Sequence, residues 1–124
     1  MKEFIYTPDA PEAIGPYSQA IKLGNLVFTS GQIPINPQTG NIDAEGIEAQ
    51  TEQICKNLKA VLESAGSCLE NVIKTTCFLQ SMDDFAVFNS VYAKYFTEKP
   101  ARSCVAVASL PKGALAEIEV VAEI

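Results

Sequence analysis

The apolar positions of this chain change period several times, and each change marks an element. Tyr17 to Leu23 and Leu26 to Ser30 have strand composition, and Gly24-Asn25 between them offers a two-residue turn with glycine first, which predicts a β-hairpin. Pro34, Pro37 and Gly40 make the next stretch a loop. From Gly46 the pattern shifts to helical spacing, with Ile47, Ile54, Leu58, Val61, Leu62 and Ala65 on one stripe and Gly66 where a left-handed cap would end it. Val72 to Gln80 is short and rich in β-branched residues, hence a strand. Ser81 and Asp84 have the spacing of a capping box before a second stripe of Phe85, Phe88, Tyr92, Tyr95 and Phe96, a helix ended by Pro100. Ser103 to Ala108 reads as a strand and Leu110-Pro111-Lys112-Gly113 as a turn. Leu115 to Ile124 alternates, with Ala116, Ile118, Val120, Ala122 and Ile124 on one face.

The resulting order is ββαβαββ, with a further short strand between Glu3 and Thr7: an α+β chain whose two helices cover one face of a mixed sheet. Leu26 to Phe28 and Cys104 to Ala108 are apolar or small on both faces, and strands without a polar side are usually covered twice. The simplest cover for the second face is another copy of the same chain. The alternative cover is the N-terminal segment together with the loop around Pro34 to Gly40.

Composition narrows the chemistry. With 124 residues, 48% of them apolar, the chain reads as one globular domain, 1–124, able to bury a core without disulfides. No run of residues has the length of a membrane span, and Met1 to Tyr6 lacks the order of a secretory signal, so the expected compartment is the cytoplasm. Fifteen acidic residues against nine basic ones give a net charge of -6, a field that opposes nucleic acid and anionic membranes as partners. There is no histidine, which removes imidazole acid-base chemistry, Ser-His-Asp and Cys-His catalysis and the commonest zinc ligand. Cys55, Cys68, Cys77 and Cys104 lack C-x-x-C spacing, so no metal site is expected.

Arg102 is the only arginine. It stands at the start of a strand of small residues, after Pro100-Ala101, and its planar fork suits two-point binding of a carboxylate; the competing reading is a salt bridge to Glu117 or Glu119. Glu117, Glu119 and Glu123 share one face of the last strand, either as a solvated edge or with one of them in a cleft near Arg102, where it would deprotonate a water. Ser30 and Gly31 end a hairpin strand, where glycine admits a ligand close to the backbone and serine can donate a hydrogen bond; the pair also suits plain turning. Tyr17 and Tyr92 suit a core or a pocket rim, and Asn89 flanks the second helix's apolar stripe. Cys104 reads either as a small buried residue or as a thiolate activated by Arg102, two positions away on the same side of the strand.

Six segments occur in order at near-constant spacing: Ile14-Gly15-Pro16-Tyr17-Ser18-Gln19-Ala20, Ser30-Gly31-Gln32-Ile33, Val72-Ile73-Lys74-Thr75-Thr76, Asp84-Phe85, Pro100-Ala101-Arg102-Ser103, and Leu110-Pro111-Lys112-Gly113 followed by Glu117-Ile118-Glu119. Over essentially its whole length the chain resembles the RidA (YjgF-type) family of reactive-intermediate imine deaminases. The resemblance implies a chorismate-mutase-like fold and a homotrimer whose sheets face a central barrel, with three clefts between subunits. It also implies cofactor-free hydrolysis of 2-imino acids and their enamine tautomers to 2-oxo acids and ammonia. By position, Arg102 resembles the family's carboxylate-binding arginine and Glu117 the glutamate that positions water. Tyr17, Ser30, Gly31, Asn89 and Cys104 match pocket-lining positions, Cys104 mainly through its backbone. The expected ligands are small 2-imino or 2-oxo carboxylic acids, with a non-catalytic carboxylate-binding or chaperone-like protein as the alternative for the same cleft. Relatives commonly carry Phe just before Pro-Ala-Arg and a longer loop, whereas this chain reads Phe96-Thr97-Glu98-Lys99-Pro100. Some relatives have been called ribonucleases or translation inhibitors, roles that the charge and the missing histidine oppose.

Overall fold

The computed structural model describes residues 1–124. Six strands form one sheet in the order β1-β2-β3-β6-β4-β5: β1 Glu3–Ile5, β2 Ala20–Leu23, β3 Leu26–Thr29, β4 Val72–Leu79, β5 Ala101–Ala106 and β6 Ala116–Glu123. Helices α1, Gly46–Ser64, and α2, Phe85–Tyr95, complete the α+β fold. The β2–β3 hairpin turns at Gly24, whose φ of 60° a side chain would resist, and Leu23 pairs with Leu26 across it. β4 and β5 run parallel, joined through α2, while the last strand β6 inserts antiparallel between β3 and β4. The chain's end thus becomes the middle of the sheet.

α1 buries Ile54, Leu58, Val61 and Leu62 against Ala116, Ile118, Val120 and Ala122 of β6 and Val27 of β3. Each fully buried leucine or isoleucine contributes roughly 1.5–3 kcal/mol. The helix ends as its glycine implies: Gly66 has φ 84°, its N–H donates to the Glu63 carbonyl and the Ser67 N–H to that of Leu62.

Several boundaries differ from those the pattern predicts. Tyr17 lies in a turn and β2 starts only at Ala20, because Tyr17 N–H closes back on the Gly15 carbonyl. Ser81 caps a short 3-10 turn, Met82–Asp84, accepting from Asp83 N–H and not from Asp84. α2 ends at Tyr95, well before Pro100: Phe96 leaves the helix to put its ring into the core, and Lys99, at φ 54°, closes a tight turn onto the Phe96 carbonyl. β5 starts at Ala101 and ends at Ala106, since pairing with β4 begins at Lys74.

The second face of the sheet stays open. Phe28 and Val105 are 41% and 48% exposed there, and neither the N-terminal segment nor the Pro34–Gly40 loop covers them. No helix is long and apolar enough to cross a membrane.

Candidate functional site

Strand register decides on which side each candidate lies. Thr75 of β4 pairs with Arg102 on one side and Val120 on the other, so all three point to the helix-covered face. Phe78 pairs with Val105 and Glu117, and Thr76 with Ser103 and Glu119, which puts both glutamates on the open face. Within one chain, therefore, the sheet separates Arg102 from Glu117 and Glu119. The expectation of a glutamate beside Arg102 fails for a single chain, and so does the salt-bridge reading. The one side-chain ion pair in the chain joins Lys94 and Glu52 at 3.9 Å.

The helix-side cleft, about 340 Å³, is built by α2, the Thr97–Pro100 turn and Arg102. Arg102 Nη1 donates to Asn89 Oδ1 at 2.7 Å. Its guanidinium carbon lies 4.8 Å from the centre of the Tyr92 ring and 5.6 Å from that of Phe85. No carboxylate of the chain occupies the remaining donors of the fork. Lys99 and Pro100 form its rim. Cys104 follows on the same side, opposite Cys77. Burial raises its thiol pKa, and the lowering influence of Arg102 does not offset that, while burial pushes Cys77 up to about 12. A raised pKa runs against the activated-thiolate reading of Cys104.

The open-face cleft, about 370 Å³, is lined by Ile14, Tyr17, Ser30, Gly31, Ile33 and Glu117 among others. Glu117 is half-buried, and its carboxyl pKa is raised by desolvation first and by the neighbouring Glu119 second. Within the chain no cation faces Glu117. Gly31 makes room here for the protein's own Glu117 side chain. A Cβ at that position would lie 2.8 Å from Glu117 Cδ, so the carboxylate occupies the space the missing side chain leaves. Ser30 is likewise engaged: its hydroxyl donates to the Ser18 carbonyl at 2.6 Å, so its proton is taken up within the chain. Tyr17 Oη accepts from Ile14 N–H at 3.3 Å, and its ring is 48% exposed at the rim.

Two residues that the sequence reading passed over hold the walls of this cleft. Gln19, 2% exposed, accepts from Thr7 N–H and donates to the carbonyls of Thr7, Ala10 and Pro11, tying down the segment before the cleft. Asn57 of α1 donates to the carbonyls of Ile33 and Ile35 on the opposite wall. Asn57 carried a visible signal, a polar residue three positions after Ile54 and directly before Leu58, inside the buried stripe. Gln19 carried none, because its partners are backbone carbonyls 8 to 12 residues away.

The fold and the clefts define a small α+β domain that carries an arginine cleft on the helix-covered face of its sheet and a desolvated carboxylate on the other. The sequence model of the family described as "Endoribonuclease L-PSP" matches residues 7–124, and the chain belongs to this family, the RidA or YjgF type. The chain is 57% identical to a RutC family protein of Pyrococcus horikoshii, over 98% of each chain. It is 48% identical to the 2-iminobutanoate/2-iminopropanoate deaminase of Escherichia coli K12, again over 98% of each. Among solved structures it is similar to Escherichia coli TdcF with bound serine, at a TM-score of 0.93 and 46% identity over 98% of both chains.

Proposed function

We infer that this protein hydrolyses reactive 2-imino acids and their enamine tautomers to 2-oxo acids and ammonia. In this reading the site forms where the Arg102 cleft of one copy meets the Glu117 cleft of another in a homotrimer. The observation that carries it is complementary incompleteness. Arg102 is a half-buried cation with no carboxylate, Glu117 is a half-buried carboxylate with no cation, and the sheet keeps them apart within one chain. Packing of the open apolar face, with Phe28 and Val105, against another copy would remove that face from water.

The chemistry asks little of the protein. The imine carbon is already electrophilic, and the substrate carboxylate would seat on the free donors of the Arg102 fork, oriented with help from Asn89. Water held by Glu117 attacks C2 as the carboxylate takes its proton. With the imine nitrogen protonated at the outset, this attack gives a neutral carbinolamine, and Glu117 then passes its proton to the amino group. As the C–N bond breaks and ammonia leaves, the hydroxyl gives its proton back to the Glu117 carboxylate and the carbonyl forms. A carboxyl whose pKa is raised by burial is suited to both halves of this exchange, since it takes up a proton more readily than an exposed carboxylate and can return it. The same group in its protonated form can deliver a proton to the enamine carbon. No step needs a metal or an organic cofactor.

The deaminase name of the relative that is 48% identical supports the activity, and serine bound to the similar TdcF supports a small carboxylate ligand. The family description as an endoribonuclease finds no support in a chain of net charge -6 without histidine. Binding without catalysis would require Arg102 alone, and the enclosed seat of Glu117 against Gly31 favours the enzyme. The test is direct. An amino acid oxidase or a serine/threonine dehydratase generates the imine in place, and release of 2-oxo acid and ammonia is followed with and without the purified protein. Acceleration proportional to protein concentration is expected; its absence overturns the reading.

A further inference from the structure

Arg102 is held in a manner that its own side chain does not explain. It sits on a flexible stem, and a mobile guanidinium loses rotamer freedom when it grips a carboxylate. Here one face of the guanidinium lies over the Tyr92 ring, and one of its N–H groups is taken by Asn89. Tyr92 is itself immobilised. Its ring stacks on Phe96 with 4.4 Å between centroids, and its hydroxyl shares a 2.7 Å hydrogen bond with Thr75, a side chain with no exposed surface. Thr75 is also the residue that pairs with Arg102 across the parallel strands. The same β4 position thus fixes the tip of the ring and lies beside the backbone that carries the cation. A phenylalanine would fill the Tyr92 site equally well as apolar bulk. The buried hydroxyl pair adds nothing to packing, and what it does is hold the ring in one orientation.

We propose that Tyr92 and Thr75 act as a positioning pair for Arg102, presetting the guanidinium plane so that its free donors meet the substrate carboxylate without reorganisation. The proposal rests on the carboxylate-clamp reading of Arg102 given above. It assigns to these residues an effect on substrate and product affinity and not on the chemical step, because neither touches the reacting atoms.

The test compares the wild-type protein with Tyr92→Phe, Thr75→Val, the double variant and Thr75→Ser. Three readouts are taken: calorimetric titration with 2-oxobutanoate, kcat and KM on an imine generated in place, and hydrogen exchange at the arginine Nε–H by NMR. Because the chain has one arginine, that NMR signal belongs to Arg102 without assignment. Tyr92→Phe and Thr75→Val are each expected to weaken 2-oxobutanoate binding and raise KM by about 5- to 20-fold, with kcat within about threefold and faster Nε–H exchange. The double variant should be no worse than the weaker single one, since both remove the same bond. Thr75→Ser, which keeps the hydroxyl, should recover the affinity. Variants that lose thermal stability while keeping Kd, KM and the Nε–H signal would show an ordinary core contact and overturn the proposal, as would a loss confined to kcat. Should Tyr92→Phe fail to fold, the contrast between Thr75→Val and Thr75→Ser decides, and equal losses in the two overturn it. If the wild-type protein binds 2-oxobutanoate but does not hydrolyse the imine, the deaminase reading falls, and the titration and NMR still judge the positioning pair. If it binds no 2-oxo acid, the clamp and the positioning pair fall together.

Discussion

The two clefts differ in how they are made. The Arg102 cleft comes from a short stretch of chain, α2 and the β5 strand that follows it, and is held by aromatic rings: Phe88, Tyr92 and Phe96 lie in the core, and Arg102 rests on Tyr92 and Phe85. The Glu117 cleft is gathered from residues 11–19, 30–35 and 111–117, and is held by polar ties from Gln19 and Asn57 to backbone carbonyls. A cation can be immobilised by stacking, which is local and apolar. A carboxylate that must exchange protons needs a partly dry space with room for water, and such a space is bounded here by loops. The clefts also differ in electrostatics: the guanidinium is matched by ring faces and an amide, while the carboxylate is opposed by burial and by a like charge.

Substitutions should separate these roles. The largest effect is expected for Glu117→Gln, which should slow imine hydrolysis by roughly 10² to 10⁴ while leaving 2-oxo acid binding nearly intact. The comparison breaks if Glu119→Gln lowers kcat equally, or if Glu117→Gln weakens binding of the 2-oxo acid without slowing turnover. Arg102→Lys should act on the other term, raising KM and product Kd by about 10- to 100-fold in a folded protein, since an ammonium replaces a two-point clamp with a point charge. An unchanged kcat/KM would make Arg102 peripheral.

Gly31→Ala sharpens the geometry of the open-face cleft. The methyl would displace the movable end of Glu117 and not the backbone, so thermal stability should change little while kcat falls by about 10-fold or more. Equal kcat in the variant would show that the seat of the carboxylate does not matter. The smallest effect is expected for Glu119→Gln at neutral pH, and it becomes visible on the acid side. Glu117 must be ionised to accept a proton from water, so activity should fall as pH drops through its raised pKa. Removing the Glu119 charge lowers that pKa and should move the acid limb of the kcat profile to lower pH. A limb that stays in place would show that the two carboxylates are uncoupled.

Much of the molecule is written locally in the chain. Helical spacing from Ile54 to Leu62 with Gly66 after it, the Gly24-Asn25 turn and the alternation from Ala116 to Ala122 each determine an element, because hydrophobic period and glycine conformation act over a few residues. Arg102 and the three carboxylates Glu117, Glu119 and Glu123 stand out in the same way as residue types suited to an anion and to water, with Glu117 singled out only by the family resemblance. Their relation does not. The periodicity of β6 shows that Glu117 and Glu119 share a face, but not that this is the face turned away from Arg102. That follows only from the insertion of β6 between β3 and β4 and its register against Thr75, Thr76 and Phe78. Likewise Gly31 looks like an opening for a ligand until the tertiary fold brings Glu117 into the space. The proton of Ser30 looks free until Ser18 takes it, and Gln19 has no meaning until Ala10 and Pro11 fold back onto it. Sequence pattern determines which side of an element is apolar. Which element lies beside which, and hence which charges share a face, depends on contacts between distant residues that no local period encodes.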